Sequence, residues 1–195
     1  MKSKSALENI YQKGFFGDYE NKNEQSLIKV SEIKNLLILQ IVQYKNSIIP
    51  LKDINIDGIY FINEVLKVNC NNETRILWSG PNNWLLISTK KNLLKDIKQT
   101  LHESDFAITD LSHSRAIIEI EGKNSIEILK KGCPFNFNKL LKDNSVNSVF
   151  NGITVSIDMI NNNPDRVRIF TLRSFGESLY HSLTDACLEF GYKNN

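Results

Sequence analysis

No stretch of this chain approaches the roughly 18 consecutive apolar residues that a membrane-spanning helix needs, and no span is expected. An excess of charge of one sign is missing too. The chain has 24 basic and 22 acidic residues, a formal balance of +2, and the basic ones are scattered. A nucleic-acid binder draws its affinity from a continuous basic field that displaces counterions, so that class is excluded. Cysteine is scarce. Cys70, Cys133 and Cys187 stand far apart, are odd in number and form no CxxC pair. Reduced thiols in a cytoplasmic protein are the simplest reading. Only three histidines accompany them, none at ligand spacing, so no metal site is expected. The opening MKSKSALENIYQK lacks an apolar core, and no signal peptide is expected. Phosphate loops, dinucleotide fingerprints and the G-x-S-x-G elbow are absent as well.

What is present fits an ordinary soluble globular chain. Apolar residues make up 41% and charged residues 24% of 195 positions. That length supports one substantial core or two small lobes. Residues 1–30 are polar with isolated hydrophobes, and read as a frayed terminus or as an arm ordered by a partner. Residues 31–195 read as a single domain of two lobes. NLLILQIVQ (35–43) reads as a strand, and NIDGIYFINEVLKVNC (55–70) as one or two more. TRILWSGPNNWLLIST (74–89) places apolar runs on both sides of Gly80-Pro81-Asn82-Asn83, which predicts a β-hairpin. Leu93, Leu94, Ile97 and Leu101 recur at helical spacing. A strand is expected around 115–121, followed by a short helix, KNSIEILKKG, with Gly132 at its left-handed C′ position. GITVSIDMI (152–160) and RVRIFTL (166–172) form a second strand pair around NNNPD. The last helix opens on an S-x-x-E capping box, Ser174 to Glu177. It carries Phe175, Leu179, Leu183, Ala186 and Phe190 on one face and stops at Gly191. Strands outnumber helices and pair as hairpins, so the class is α+β with mainly antiparallel sheets. Strand-turn-strand-helix occurs twice, an echo that fits two ferredoxin-like lobes.

Asp110, Ser112, His113, Ser114 and Arg115 contain every residue type of a hydrolase triad, packed into six positions. A working triad draws its members from separate segments into one hydrogen-bonded line, and side chains on an extended chain alternate sides. The better reading is a turn in which Asp110 and Ser112 bond nearby backbone amides, with Arg115 paired to Asp110 or to another chain. In GCPFN, Gly132 and Pro134 serve as a helix stop around Cys133, whose thiol would need a depressed pKa to react. Trp78 and Trp84 bracket the hairpin turn and read as core or interface aromatics. An anion at the helix start near Arg173 and Ser174 would compete with the capping box. His102 and His181 read as solvent-facing.

Four motifs in order resemble one family. LWSGPNNWLLI (77–87) resembles the LW-x-GP-x-x-WLL signature of the gamma subunit of heterotetrameric sarcosine oxidase. DLSHSRAIIEIEG (110–122) resembles that family's D-x-SHSR strand, ILKKGCPFN (128–136) its L-x-KGCP-x-D, and RSFGESLYHSLTDACLEFG (173–191) its closing helix. Asn136 stands in place of the family's Asp, and Gly176 in place of its Ala. The resemblance covers roughly residues 35–191. It implies a fold similar to the folate-binding domain of the glycine-cleavage aminomethyltransferase. It also implies a subunit that packs against the alpha subunit, with beta and delta in the same complex, and that carries no chemistry itself. That complex demethylates sarcosine to glycine oxidatively and passes the one-carbon unit to tetrahydrofolate. FAD, FMN, NAD and tetrahydrofolate are then implied for the partner subunits. Trp78, Gly80, Pro81, Trp84, Asp110, Ser112, His113, Arg115, Gly132, Cys133, Pro134, Arg173, Ser174 and Phe175 would serve packing or partner contact. A stand-alone folate-binding, aminomethyltransferase-like protein is the alternative. A subunit seen without its partner is expected to expose apolar surface.

Overall fold

The computed structural model describes residues 4–194. Their strands and helices run in the order β1 (Gly14–Phe16), β2 (Ile28–Glu32), β3 (Leu37–Gln43), β4 (Asn55–Ile56), β5 (Ile59–Tyr60), β6 (Val68–Cys70), β7 (Thr74–Gly80), β8 (Asn83–Ser88) and α1 (Leu93–Thr100). The chain continues with β9 (Phe106–Asp110), β10 (Arg115–Glu121), α2 (Ser125–Gly132), β11 (Ser145–Phe150), β12 (Ile153–Asn162), β13 (Asp165–Leu172), α3 (Gly176–Cys187) and β14 (Tyr192–Asn194). They form two compact units. The first holds residues 4–34, 114–142 and 146–194, and the second residues 35–113 and 143–145.

The first unit is built on a seven-stranded sheet in the order β1-β14-β2-β10-β13-β12-β11. Strand side chains alternate between faces, which puts Ala116, Ile118 and Ile120 of β10 on one side. Ile118 pairs with Ile169 and Ile120 with Val167 across the β10–β13 ladder. These residues share a core with Ile128 and Leu129 of α2 and Leu179 and Leu183 of α3. The sequence β10-α2-β12-β13-α3-β14, with spatial order β14, β10, β13, β12, is the ferredoxin-like arrangement with β2 inserted between β14 and β10. β2 runs parallel to β14 and antiparallel to β10.

Residues 4–30, expected as a frayed terminus or arm, instead supply β1 and the first residues of β2, and Leu7 is fully buried. Their hydrophobes are too widely spaced to show a period. Leu7 enters the core, Ile10, Tyr11 and Phe16 pack partly buried against it, and Phe15 stays exposed.

The second unit has a five-stranded antiparallel sheet, β6-β7-β8-β3-β9, and a separate β4–β5 hairpin. The expected hairpin forms from β7 and β8, with Trp78 opposite Trp84. Its turn places Asn82 at φ 54°, a left-handed conformation that asparagine tolerates better than most residues. Leu93, Ile97 and Leu101 of α1 and its C-terminal flank pack on Leu39, Ile41, Ile76, Trp84 and Leu86, as the helical spacing predicts.

Two expected helix ends are corrected. Gly132 is the last residue of α2 and not a left-handed C′ residue, and Cys133 follows it in extended conformation at φ −120°. The glycine is explained by close approach. A Cβ built there would lie 2.9 Å from the Phe150 ring and 2.7 Å from Asn151 Oδ1. The Ser174–Glu177 capping box does not form. Arg173–Phe175 make a turn of 3-10 helix, and α3 begins at Gly176 without a side-chain cap. The backbone N–H of Arg173 is already bound to the Ser114 carbonyl at 2.9 Å, so the chain leaves β13 in a tight turn and the α-helix starts later. Phe175 therefore precedes the apolar stripe and is 47% exposed, while Leu179, Leu183 and Ala186 are buried on it.

Candidate partner surface

The Asp110–Arg115 stretch is a turn at the end of β9. Asp110 Oδ1 accepts the Ser112 backbone N–H at 2.9 Å. Burial works against the Asp110 carboxylate, yet hydrogen bonds from the Ser112 side chain and backbone outweigh it and hold the pKa below the ordinary carboxylate value. Ser112 Oγ in turn accepts the Ile38 N–H at 3.0 Å, tying the turn to β3. The acid and the first serine are thus both engaged with backbone amides, and His113 is exposed. The geometry of Asp110 and Ser112 is that of a chain anchor.

The hairpin motif divides between core and surface. Trp84 is fully buried, donates Nε1–H to the Ile62 carbonyl at 2.7 Å and meets the edge of Phe61 with centroids 5.0 Å apart. Trp78 is partly exposed and donates Nε1–H to Asn63 Oδ1 at 3.0 Å. The same oxygen accepts the Asn82 backbone N–H at 3.2 Å, so Asn63 organises the turn from outside the motif. Nothing in the sequence marks that role. Gly80 pairs with Asn83, and Pro81 is exposed at the turn. In the GCP motif, Cys133 is buried and its thiol donates to Ser148 Oγ at 3.2 Å, while Pro134 is exposed. Cys187 is buried as well, and burial pushes its thiol up to about 12. Among the described residues, no three His, Cys, Asp or Glu side chains converge as a metal site requires. His102 and His181 are exposed, as expected.

The remaining motif residues meet in the first unit, where β10 starts and β13 ends. Arg115 lies directly opposite Leu172 in the antiparallel ladder, so both side chains leave the same face. Leu172 is 46% exposed. The 3-10 turn then presents Ser174 and Phe175 outward. Arg173 Nη2 donates to the Lys4 carbonyl. Arg115 is partly buried, and desolvation lowers its guanidinium pKa from the usual value. It forms no ion pair among the described residues, Asp110 included, so the expected pairing within the chain is not made. Leu172 lies one residue before the closing motif. Only the cross-strand register reveals it as Arg115's neighbour.

Taken as a fold, these units define an aminomethyltransferase-like α+β protein. The chain resembles glycine cleavage system aminomethyltransferase T from Bartonella henselae with a TM-score of 0.57 at 10% identity, over 82% of this chain and 46% of that one. It resembles a chain of the heterotetrameric sarcosine oxidase from Corynebacterium sp. U-96, solved in complex with pyrrole 2-carboxylate, with a TM-score of 0.80 at 21% identity. That match covers 96% of this chain and 95% of the other. In sequence it is 29% identical over 120 residues to sarcosine oxidase subunit gamma of Corynebacterium sp. (strain U-96). The alignment spans 60% of this chain and 58% of that relative. Residues 60–189 match the sarcosine oxidase, gamma subunit family, and the chain belongs to that family.

Proposed function

We propose that this chain is the gamma subunit of a heterotetrameric sarcosine oxidase, a subunit that supports the assembly and does no chemistry itself. The observation that carries the reading is the family match over residues 60–189. The side-chain geometry agrees with it. Asp110, Ser112, Cys133 and Trp84 are engaged by backbone amides, a neighbouring hydroxyl or the core. In this reading the complex demethylates sarcosine to glycine in the cytoplasm, with tetrahydrofolate accepting the one-carbon unit. FAD, FMN, NAD and the folate are held by partner subunits. This chain packs directly on the alpha subunit, with beta and delta in the same assembly.

The test is co-expression of the tagged chain with the candidate alpha, beta and delta subunits. The visible spectrum and the sarcosine turnover of the eluate are then recorded. A yellow complex that oxidises sarcosine is the expected result. A chain that elutes alone and colourless overturns the reading. Titration of that free chain with tetrahydrofolate then tests the stand-alone folate-binding alternative.

A further inference from the structure

The five-stranded sheet of the second unit ends on β9, next to β3. In an antiparallel ladder, residues alternate between bonding their partner strand and turning their N–H and C=O away from it. Two bonds fix the phase here. Leu111 N–H donates to the Ile38 carbonyl and Tyr44 N–H to the Asp105 carbonyl, both at 2.8 Å. With Thr109 opposite Gln40 and Ala107 opposite Val42, the backbones that turn to β3 are those of Asp105, Ala107, Thr109 and Leu111. Phe106, Ile108 and Asp110 turn theirs outward. The Phe106 N–H is taken by the His102 carbonyl at 3.0 Å. The N–H and C=O of Ile108 bond no group among the described residues. Natural sheets blunt such edges with proline, lysine, a bulge or a very short strand. β9, with the five residues FAITD, holds neither proline nor lysine, and it pairs with β3 without a register shift.

Acidic groups bracket this edge. Glu103 and Asp105 precede β9 and Asp110 closes it, and none of the three makes an ion pair among the described residues. A hydrogen bond from Ser104 holds the Asp105 carboxyl below the ordinary carboxylate value. Lys98 and His113 act on Asp110, and His102 on Asp105, only through space.

Building on the subunit reading above, we propose that the β9 edge receives an extended segment of a neighbouring subunit of the complex, which adds to this sheet as a further strand. The backbone of that segment bonds the outward N–H and C=O of Ile108. It carries Lys or Arg at its two ends, against Asp105 and Asp110, and uncharged residues between them. Backbone complementarity selects an extended chain, and charge complementarity selects a basic one. The same charges select against a second copy of this chain. Antiparallel pairing of two β9 edges about Ile108 would set the Asp110 end of each beside the Asp105 end of the other, acid against acid.

The experiment is amide hydrogen exchange, read residue by residue in the isolated chain and in the purified complex. In the isolated chain the Ile108 amide should exchange freely, while those of Ala107 and Thr109, bonded to β3, are protected. In the complex the Ile108 amide should slow by roughly tenfold or more. Competitive assembly gives a second reading. Wild-type and variant chains carrying different tags are co-expressed with the other subunits, and their ratio in the complex is measured. Thr109 is exposed, so Thr109→Lys keeps the fold but sets a cation against the basic ends of the incoming strand. It should be depleted roughly tenfold against wild type, while Thr109→Val, which changes no charge, should compete equally. Should Thr109→Lys fail to fold, exchange in the wild type decides the matter. An Ile108 amide that exchanges equally fast in the free chain and in the complex overturns this proposal and leaves the subunit reading standing, as does equal incorporation of Thr109→Lys. Failure of the wild type to assemble removes the subunit reading and this proposal with it. Light scattering of the isolated chain should find a monomer. A dimer with a protected Ile108 amide would assign the edge to a second copy and overturn the proposal.

Discussion

Gly132→Ala sets two opposed effects against each other at one atom. Alanine is favoured over glycine in a helix by up to about 1 kcal/mol, and Gly132 is the last residue of α2, where only part of that gain applies. Against it stands the added methyl, 2.9 Å from one carbon of the Phe150 ring, 3.0 Å from another, and 2.7 Å from Asn151 Oδ1. The asparagine is exposed and can swing away at little cost. Phe150 is fully buried in the first unit's core and cannot. Overpacking of this kind costs about 1–3 kcal/mol, so a net loss of roughly 1–2 kcal/mol is expected once the helix gain is subtracted. For a chain of this size that corresponds to a fall in Tm of about 2–8 °C, measured by calorimetry or circular dichroism. Two further variants isolate the cause. Phe150→Leu opens the space, so the pair Gly132→Ala with Phe150→Leu should lose less than the sum of the singles. Gly132→Asn separates the close-approach explanation from a left-handed one. Asparagine is well tolerated at a left-handed C′ position but brings a larger side chain towards Phe150, so here it should be worse than alanine. A Gly132→Ala protein as stable as wild type, or an asparagine variant better than the alanine one, would refute the close-approach argument.

Trp84→Ala should cost about 3–5 kcal/mol, the range for buried aromatics replaced by alanine, because Trp84 fills the second unit's core and its indole N–H is bound to Ile62. Urea unfolding reads this out, and Trp84→Phe, which keeps a ring beside Phe61, should lose clearly less. Asp57 has its pKa lowered first by the hydrogen bond from Lys90 and then by that from Thr74. Its stabilising contribution is therefore complete above 3.8, the unshifted value, and fades as pH falls through the lower folded pKa. Asp57→Asn should flatten the acid limb of the stability profile in that window, and an unchanged limb would remove Asp57 from the account. Cys187, with its thiol pushed up to about 12, is un-ionised at pH 8, and both it and Cys133 are buried. Maleimide labelling followed by mass spectrometry should mark Cys70 first in the native chain and the other two only after unfolding.

The parts of this fold that were legible beforehand are those with strong local periodicity. The 74–88 hairpin announces itself through two apolar runs around Gly80-Pro81-Asn82-Asn83, and α1 through Leu93, Ile97 and Leu101. Two strands, β9 and β14, carry few hydrophobes or occupy only a few residues, and exist because remote partners complete their ladders, whereas β11 pairs with β12, its neighbour in the chain. β14, for example, pairs with β1 and β2. The N-terminal segment failed for the same reason, since Leu7 is buried by tertiary packing and not by any pattern around it. Helix ends were misread where backbone bonding overrode local preference. Ser174 and Glu177 have the spacing of a capping box, but Arg173–Phe175 form a 3-10 turn and α3 starts at Gly176, so Ser174 is not the residue that caps it. Within the candidate surface, the engagement of Asp110 and Ser112 by backbone was foreseeable from their short side chains. The pairing of Arg115 with Leu172 was not, because it depends on the register of strands about fifty residues apart.

A residue can matter because the chain cannot fold without it or because the assembly cannot form without it, and the geometry separates the two. Trp84, Ser112, Gly132 and Cys133 have every visible demand met inside their own unit: a carbonyl for the indole, an amide for the serine oxygen, a ring packed on the glycine, a hydroxyl for the thiol. Substituting them should destabilise the free chain, and any assembly defect should follow in proportion to that loss. The β9 edge has demands that the described residues leave unmet, so Thr109→Lys should leave the free chain's unfolding transition in place while incorporation into the complex falls. Plotted as loss of stability against loss of assembly, the two groups should fall on different axes. If Thr109→Lys lowers Tm as much as Trp84→Ala does, the exposed Thr109 side chain is part of the fold's own packing, and the distinction between the two groups collapses.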